Sequence, residues 1–145
     1  MRILALIAAL AAGPALADIE KIQANGDVNE VMDRLEAAVT GAGATVFARV
    51  DHGGGAEKAG LELGDSQLLM FGNPNLGTPA MQADARAGLY LPLKVLVYAD
   101  GDGQTWVAYE PPAAMFEGLE IPADAEFVAK MTGALGKFSA AAAGQ

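Results

Sequence analysis

Two strand-like segments joined by a turn constrain the fold of this chain more than any other feature. The segment LPLKVLVYADGDGQTWVAYEPP (residues 91–112) holds two runs rich in Val, Leu, Tyr and Trp, separated by Asp-Gly-Asp-Gly. This pattern predicts a β-hairpin. The sequence leaves open whether Trp106 or Val107 points into the core, because a shift of one residue in register exchanges the two faces of a strand.

Two amphipathic helices are predicted to pack with this hairpin. The first begins after Asp27, a residue suited to the N-cap position, and Glu30 follows at the capping-box spacing. Its apolar residues recur at helical spacing: Val28, Val31, Met32, Leu35, Ala38 and Val39. The second carries its apolar residues four, four and three apart, at Phe127, Met131, Leu135 and Phe138. The alanine-rich segment after it is predicted to fray.

Shorter segments complete the predicted order of elements. Strands are predicted in DIEKIQ (18–23), TVFARVDH (45–52) and SQLLMFG (66–72), with a loop and one short helical turn in GGGAEKAGLEL (53–63). Thr78-Pro79 predicts an N-cap and the first position of a short helix. The order predicts an α+β fold, in which two main helices pack on one face of an antiparallel sheet.

The N-terminal segment MRILALIAALAAGPALA (residues 1–17) has the features of a secretory signal peptide. It carries one positive charge, an apolar run too short to span a membrane, and an Ala-Leu-Ala site at its end. We therefore predict cleavage between Ala17 and Asp18, a periplasmic or secreted protein, and no membrane insertion after cleavage. The remaining residues, 18–145, have the length of a single domain.

Composition restricts the possible chemistry. The chain has no cysteine, which excludes disulfides and cysteine-based metal or redox sites. Cleavage would remove Arg2 and leave eight Lys and Arg against eighteen Asp and Glu, a net charge of −10. This charge would repel nucleic acids and anionic membrane surfaces, so neither is an expected partner.

Three ordered blocks resemble the family called domain of unknown function DUF302: TVFARVDHGGGAEKAGLEL, LLMFGNPNLGTPAMQ and LPLKVLVYADGDGQTWVAYEPP. The resemblance runs from about Asp18 to the end of the last helix. It implies a β-α-β(4)-α domain of the TATA-binding-protein-like type and association into homodimers. It implies no activity.

The segment FGNPNLGTP (residues 71–79) is one candidate ligand site. Gly72 and Gly77 allow unusual backbone conformations, Asn73 and Asn75 offer side-chain donors, and a helix start at Thr78 would present free amides to an anion. Lys94 or Arg49 would supply the positive charge that such an anion requires. The alternative is a structural loop that leads a strand into a helix.

Asp51 and His52 form a second candidate site at the end of a predicted strand, before three glycines. A carboxylate beside an imidazole could support general base chemistry, although adjacent strand residues point to opposite faces. A histidine that ends the strand and binds the loop is the alternative. No catalytic constellation, metal-ligand spacing or cofactor motif is recognised.

We therefore expect an exported, non-enzymatic module that binds a small molecule or a protein, and the sequence leaves the choice between these two open. The alternatives are an enzyme that acts on a small substrate through Asp51, His52 or Glu110, and a carrier of metal or haem.

Overall fold

The computed structural model describes residues 19–145, which form one antiparallel sheet of five strands covered by helices. The strands lie in the spatial order β1-β5-β4-β3-β2, and they are β1 (Glu20–Gln23), β2 (Thr45–Asp51), β3 (Ser66–Gly72), β4 (Leu93–Ala99) and β5 (Thr105–Tyr109). The predicted α+β class is confirmed. The predicted signal peptide and the predicted N-terminus at Asp18 lie outside the described residues.

Two long helices pack against each other and against the sheet, as predicted. They are α1 (Val28–Gly41) and α5 (Glu126–Ala143), and with the five strands they give the β-α-β(4)-α order. The connections contain shorter helices: α2 (His52–Lys58), α3 (Pro74–Ala83), a 3₁₀ helix (Ala85–Leu89) and α4 (Pro112–Met115). Among the helices within residues 19–145, none has the length and apolar character needed to cross a bilayer.

The start of α1 follows from its sequence. The backbone N–H of Glu30 donates to Asp27 Oδ1 (2.9 Å), and Glu30 Oε2 accepts from the backbone N–H of Asp27 (3.1 Å), so the predicted capping box is present. The helix buries its apolar face against the sheet through Val28, Val31, Met32, Leu35 and Val39.

The prediction that the alanine-rich C-terminal segment frays is wrong. Ala142 and Ala143 are fully buried at the end of α5. Arg34 Nε donates to the carbonyl of Ala142 (2.9 Å), and the carbonyl of Ala143 accepts from the backbone N–H of Asn25 (3.1 Å). Small side chains let α5 approach its neighbours closely there, and these contacts hold the last turn in place.

The hairpin of β4 and β5 is confirmed, and its register answers the open question of which residue faces inward. Val107 is buried, whereas Trp106 lies on the opposite face with Lys21 Nζ 4.4 Å from its ring centre. Asp100 organises the turn: its Oδ1 accepts from the backbone N–H of Gln104 (2.9 Å) and its Oδ2 from Trp106 Nε1 (2.8 Å). These hydrogen bonds, that of the Trp106 side chain first, lower the pKa of Asp100.

We call the sheet surface opposite α1 and α5 the outer face. Strand alternation and the pairing register place several half-buried apolar side chains on it, including Leu68, Met70, Leu96, Tyr98 and Trp106. The two main helices cover only the other face, where Leu69, Phe71, Val95, Val97 and Val107 form the centre of the core.

Candidate functional site

The segment FGNPNLGTP is the end of a strand followed by a helix that starts earlier than predicted. Asn73 is the N-cap of α3, and its Oδ1 accepts from the backbone N–H of Asn75 (2.9 Å). Pro74 takes the first helical position, where its fixed φ and missing N–H are tolerated. The prediction of a helix start at Thr78 is therefore wrong, because Thr78 and Pro79 lie within the helix.

Two features on which the predicted anion site depends differ in the structure: the position of the helix start and the surroundings of Lys94. The helix begins at the Asn73 end, and there the N–H groups of Leu76 (2.9 Å) and Gly77 (3.0 Å) donate to the Asn73 carbonyl. Lys94 Nζ donates instead to the carbonyl of Tyr90 (2.7 Å). Because one N–H group of the Lys94 ammonium already donates to a backbone carbonyl, fewer donors remain to bind an anion.

Arg49, the other candidate cation, is bound to side chains of α1 and β3. Its Nη1 lies 2.6 Å from Asp33 Oδ1 and 3.3 Å from Glu36 Oε2, both on α1, and its Nε donates to Gln67 Oε1 (2.8 Å). The positive charge of Arg49 therefore serves to join β2 to α1.

Four of the predicted ligand-binding residues do come together, around a cavity of about 380 Å³ that we call the apolar pocket. Gly72, Asn73, Gly77 and Thr78 line it. Asn75, Lys94, Asp51 and His52 do not. The larger apolar side chains that complete the wall are Phe47, Leu76, Met81, Leu91, Leu93 and Met131. Pro74, Pro92 and Gly88 also line the pocket. None of these lining residues carries a charge.

Three glycines keep the walls of the apolar pocket free of side chains. A Cβ atom on Gly72 would lie 3.3 Å from Cε2 of Phe47, one on Gly77 would lie 3.6 Å from Cδ1 of Leu91, and one on Gly88 would lie 3.5 Å from Sδ of Met81. The backbone does not require glycine at these positions, because none of the three has a positive φ. The absence of side chains at these three positions leaves space in the apolar pocket.

Apolar side chains at the mouth of the apolar pocket are exposed to water. Phe47 is 61% exposed and Met81 is 40% exposed, and Leu89, which follows Gly88 in the chain, is 82% exposed. Exposed large apolar side chains such as Phe47 and Met81 in the wall of a cavity are typical of a binding surface.

An ion pair fixes the segment that carries Gly88. Asp84 caps the 3₁₀ helix: its carboxylate accepts from Arg86 Nη2 (2.6 Å), from the backbone N–H of Arg86 (2.9 Å) and from the backbone N–H of Glu120 (3.0 Å). These hydrogen bonds, the Arg86 side chain first, hold the pKa of Asp84 well below its ordinary value. The Asp84 side chain is only 7% exposed, so this contact ties the wall of the pocket to the connection before α5.

The second predicted site has a different structure from the one expected. His52 is the first residue of α2 rather than the end of a strand, and the following glycines are helical rather than a loop. Asp51 is the N-cap of α2, with Oδ1 accepting from the backbone N–H of Gly54 (2.9 Å). His52 is exposed, and no hydrogen bond joins its side chain to Asp51 within residues 19–145.

Across residues 19–145, no group of three or more His, Cys, Asp or Glu side chains is placed to hold a metal ion. A second, more polar cavity of about 610 Å³ borders Asp51 together with Glu57, Glu62 and Asp65. Its acidic side chains do not converge on one point.

The family model for the domain of unknown function DUF302 matches residues 20–138. The chain belongs to the DUF302 family. The fold agrees, since the crystal structure of an uncharacterized conserved DUF302 protein from Bacillus stearothermophilus superposes with a TM-score of 0.77 at 21% identity, covering 86% of this chain and 97% of that one.

Two curated relatives of this DUF302 chain are longer proteins that carry the name of an ion channel. Proteins named fluoride-specific ion channel FluC 1 from Brucella suis and Brucella abortus are each 39% identical over 114 residues, which is 77% of this chain. The match spans only 45% and 42% of those two relatives. The chain thus corresponds to less than half of each relative's length.

Sequence reasoning found one wall of the apolar pocket and missed the others. Phe47 comes from β2, Met81 from the end of α3, Leu91 from the segment before β4, and Met131 from α5. No local sequence signal joins these four residues, because they come from segments that are far apart in the chain.

Proposed function

We propose that this DUF302 protein is an exported, non-enzymatic module that binds a small, uncharged and largely apolar molecule in the apolar pocket. The observation that carries the proposal is a pocket of about 380 Å³ whose walls combine three glycines with exposed Phe47 and Met81. Its volume falls within the usual range for small-molecule sites. Export rests on the N-terminal sequence.

Binding is favoured over catalysis by the chemistry of the lining. A general acid or base needs a titratable side chain within hydrogen-bond reach of the substrate. The polar side chains at the apolar pocket are Asn73 and Thr78, which can orient a ligand but do not exchange protons near neutral pH. A ligand that covers Phe47 and Met81 would remove apolar surface from water, which favours association.

A thermal-shift comparison of two leucine variants tests the proposal. Gly77→Leu should project a side chain into the apolar pocket, whereas Gly55→Leu, on the exposed side of α2, meets no atom within 4 Å of its Cβ. A library of neutral aromatic and aliphatic compounds should raise the Tm of the wild type and of Gly55→Leu, but not that of Gly77→Leu. If no neutral compound stabilises the wild type, or if Gly77→Leu keeps the same response, the proposed site is wrong.

We also propose that two copies form a homodimer through the outer face. The support is the set of half-buried apolar side chains on that surface, which neither α1 nor α5 covers. Leu96→Glu would place a charge in the middle of this surface, and it should convert a dimer into a folded monomer in light scattering. A monomeric wild type would contradict this part of the proposal.

Two measurements separate the alternative functions, a carrier of metal or haem and an enzyme. Native mass spectrometry of protein purified from the periplasm reports bound metal or haem, which a carrier would retain. Turnover of a small substrate that is lost in both Asp51→Asn and His52→Ala would favour an enzyme.

A second candidate function is that of an accessory to a fluoride-specific ion channel, favoured by the names of the Brucella relatives. In that case a strain without this protein should grow less well in fluoride, and the wild-type gene should restore growth. Equal growth of both strains across fluoride concentrations would count against it.

A further inference from the structure

We infer that the apolar pocket takes a neutral compound with two fused aromatic rings and one hydrogen-bond acceptor at its edge. This inference rests on the proposed function, since it names the class of ligand for that same pocket. Three observations carry it: the volume of the pocket, the kind of side chain in its walls, and the Asn73 amide group that can donate a hydrogen bond at its rim.

The volume sets the size of the ligand. A closed apolar cavity of roughly 150 Å³ is enough to hold benzene. The apolar pocket is open to solvent and measures about 380 Å³, so one ring would leave more than half of it empty, while two fused rings fit within it. Unfilled apolar space loses contacts, which disfavours the smaller ligand.

The walls favour an aromatic ring over a saturated one. Phe47 offers a ring face or edge at the mouth, and the thioethers of Met81 and Met131 lie along the lining. Aromatic pairs and sulfur–aromatic contacts each contribute beyond the apolar area that they bury. The Phe47 ring lies against the bare backbone of Gly72, with Cε2 3.3 Å from the position of a Cβ there, so an aromatic ring already packs on a glycine in this lining.

The polar groups at the rim set the charge and the hydrogen bond. Asn73 Oδ1 already accepts from the backbone N–H of Asn75, which leaves the Nδ2 group of Asn73 as a donor. Since no charged side chain lines the pocket, an ionised ligand would lose hydration without gaining a counter-charge. The ligand is therefore neutral, with an oxygen or nitrogen that accepts from Asn73.

Four probes separate this inference from the proposed function. The probes are 2-naphthol, its saturated counterpart decahydro-2-naphthol, the linear 1-octanol and the anion 2-naphthoate. The readouts are Kd by calorimetry and the methyl NMR signals of Met81 and Met131, which an aromatic ring in the pocket shifts through its ring current. We expect 2-naphthol to bind about ten-fold more tightly than decahydro-2-naphthol and to shift both signals.

Two variants that keep apolar volume test the aromatic preference. Phe47→Leu and Met81→Leu should each reduce the advantage of 2-naphthol over decahydro-2-naphthol by roughly two- to five-fold. Leu61→Ala changes an exposed leucine outside the apolar pocket, and it should leave the advantage of 2-naphthol over decahydro-2-naphthol unchanged.

The possible results point to different conclusions. Equal affinity for 2-naphthol and decahydro-2-naphthol, or tighter binding of 2-naphthoate, overturns the ligand class but leaves an apolar binding site. Failure of all four probes to bind or to move the Met81 and Met131 signals overturns both the ligand class and the proposed function.

Discussion

Replacement of Gly77 by alanine should stabilise the fold and narrow the apolar pocket at the same time. Glycine within a helix costs roughly 0.5–1 kcal/mol relative to alanine, because it loses more backbone freedom on folding. Gly77 lies within α3, its φ is not positive, and its N–H already donates to the Asn73 carbonyl. An added Cβ would meet Leu91 Cδ1 at 3.6 Å and Met81 Cε at 4.0 Å, which are ordinary contacts.

We therefore expect Gly77→Ala to raise the free energy of unfolding of the ligand-free protein by about 0.5–1 kcal/mol. In a domain of this size, that corresponds to a rise in Tm of roughly 2–5 °C. Guanidinium unfolding gives the free energy, and differential scanning calorimetry gives the Tm. The same variant should bind 2-naphthol more weakly than the wild type does.

Two matched alanine variants complete the experiment. A Cβ on Gly55 in α2 would meet no atom within 4 Å. Gly55→Ala should therefore also raise the free energy of unfolding, without changing the affinity for 2-naphthol. Gly103→Ala should destabilise by about 1 kcal/mol, because Gly103 has a φ of +79°, which alanine adopts only with strain. If Gly77→Ala destabilises the protein, or if it leaves the affinity for 2-naphthol unchanged, the role of Gly77 is not to leave space in the apolar pocket.

Three further predictions concern other parts of the chain. His52→Ala should change the free energy of unfolding by less than about 1 kcal/mol, because His52 is exposed; a larger loss in chemical unfolding would show that the imidazole is structurally important. Asp84→Asn should lower stability at pH 7. Since the Arg86 contacts lower the pKa of Asp84 in the folded protein, its contribution is present above the ordinary value of 3.8 and is lost as the pH falls through the folded pKa. Unfolding curves from pH 7 down to pH 2 should therefore show an acid-induced loss in the wild type that is smaller in Asp84→Asn. Intact mass of the exported protein should correspond to a first residue of Asp18, and retention of residues 1–17 would contradict the predicted cleavage.

Several elements could be predicted because their signals are local. The capping box of Asp27 and Glu30 marks the start of α1, and short runs of apolar residues mark β3 and β4. These patterns depend on hydrogen bonds and side-chain directions within a few residues. They do not depend on which distant segment packs against them.

The start of α3 shows where local signals are ambiguous. Asn73-Pro74 and Thr78-Pro79 both have the pattern of an N-cap followed by proline. The earlier start was selected in the folded protein, where the helix places Ala80 in the core and Leu76 against it. Similarly, the composition of the last helix predicts fraying, but contacts with Arg34 and Asn25 hold its end.

The sequence by itself determined the two main helices, the hairpin and the family, since each is carried by contiguous residues. Only the tertiary structure decided that Val107 faces inward, that Asp51 and His52 form no hydrogen-bonded pair, and that the apolar pocket exists. The walls of that pocket come from β2, α3, the segment before β4 and α5. Their side chains meet only after the sheet has fixed its register and α5 has packed on it, which no short segment of the chain specifies.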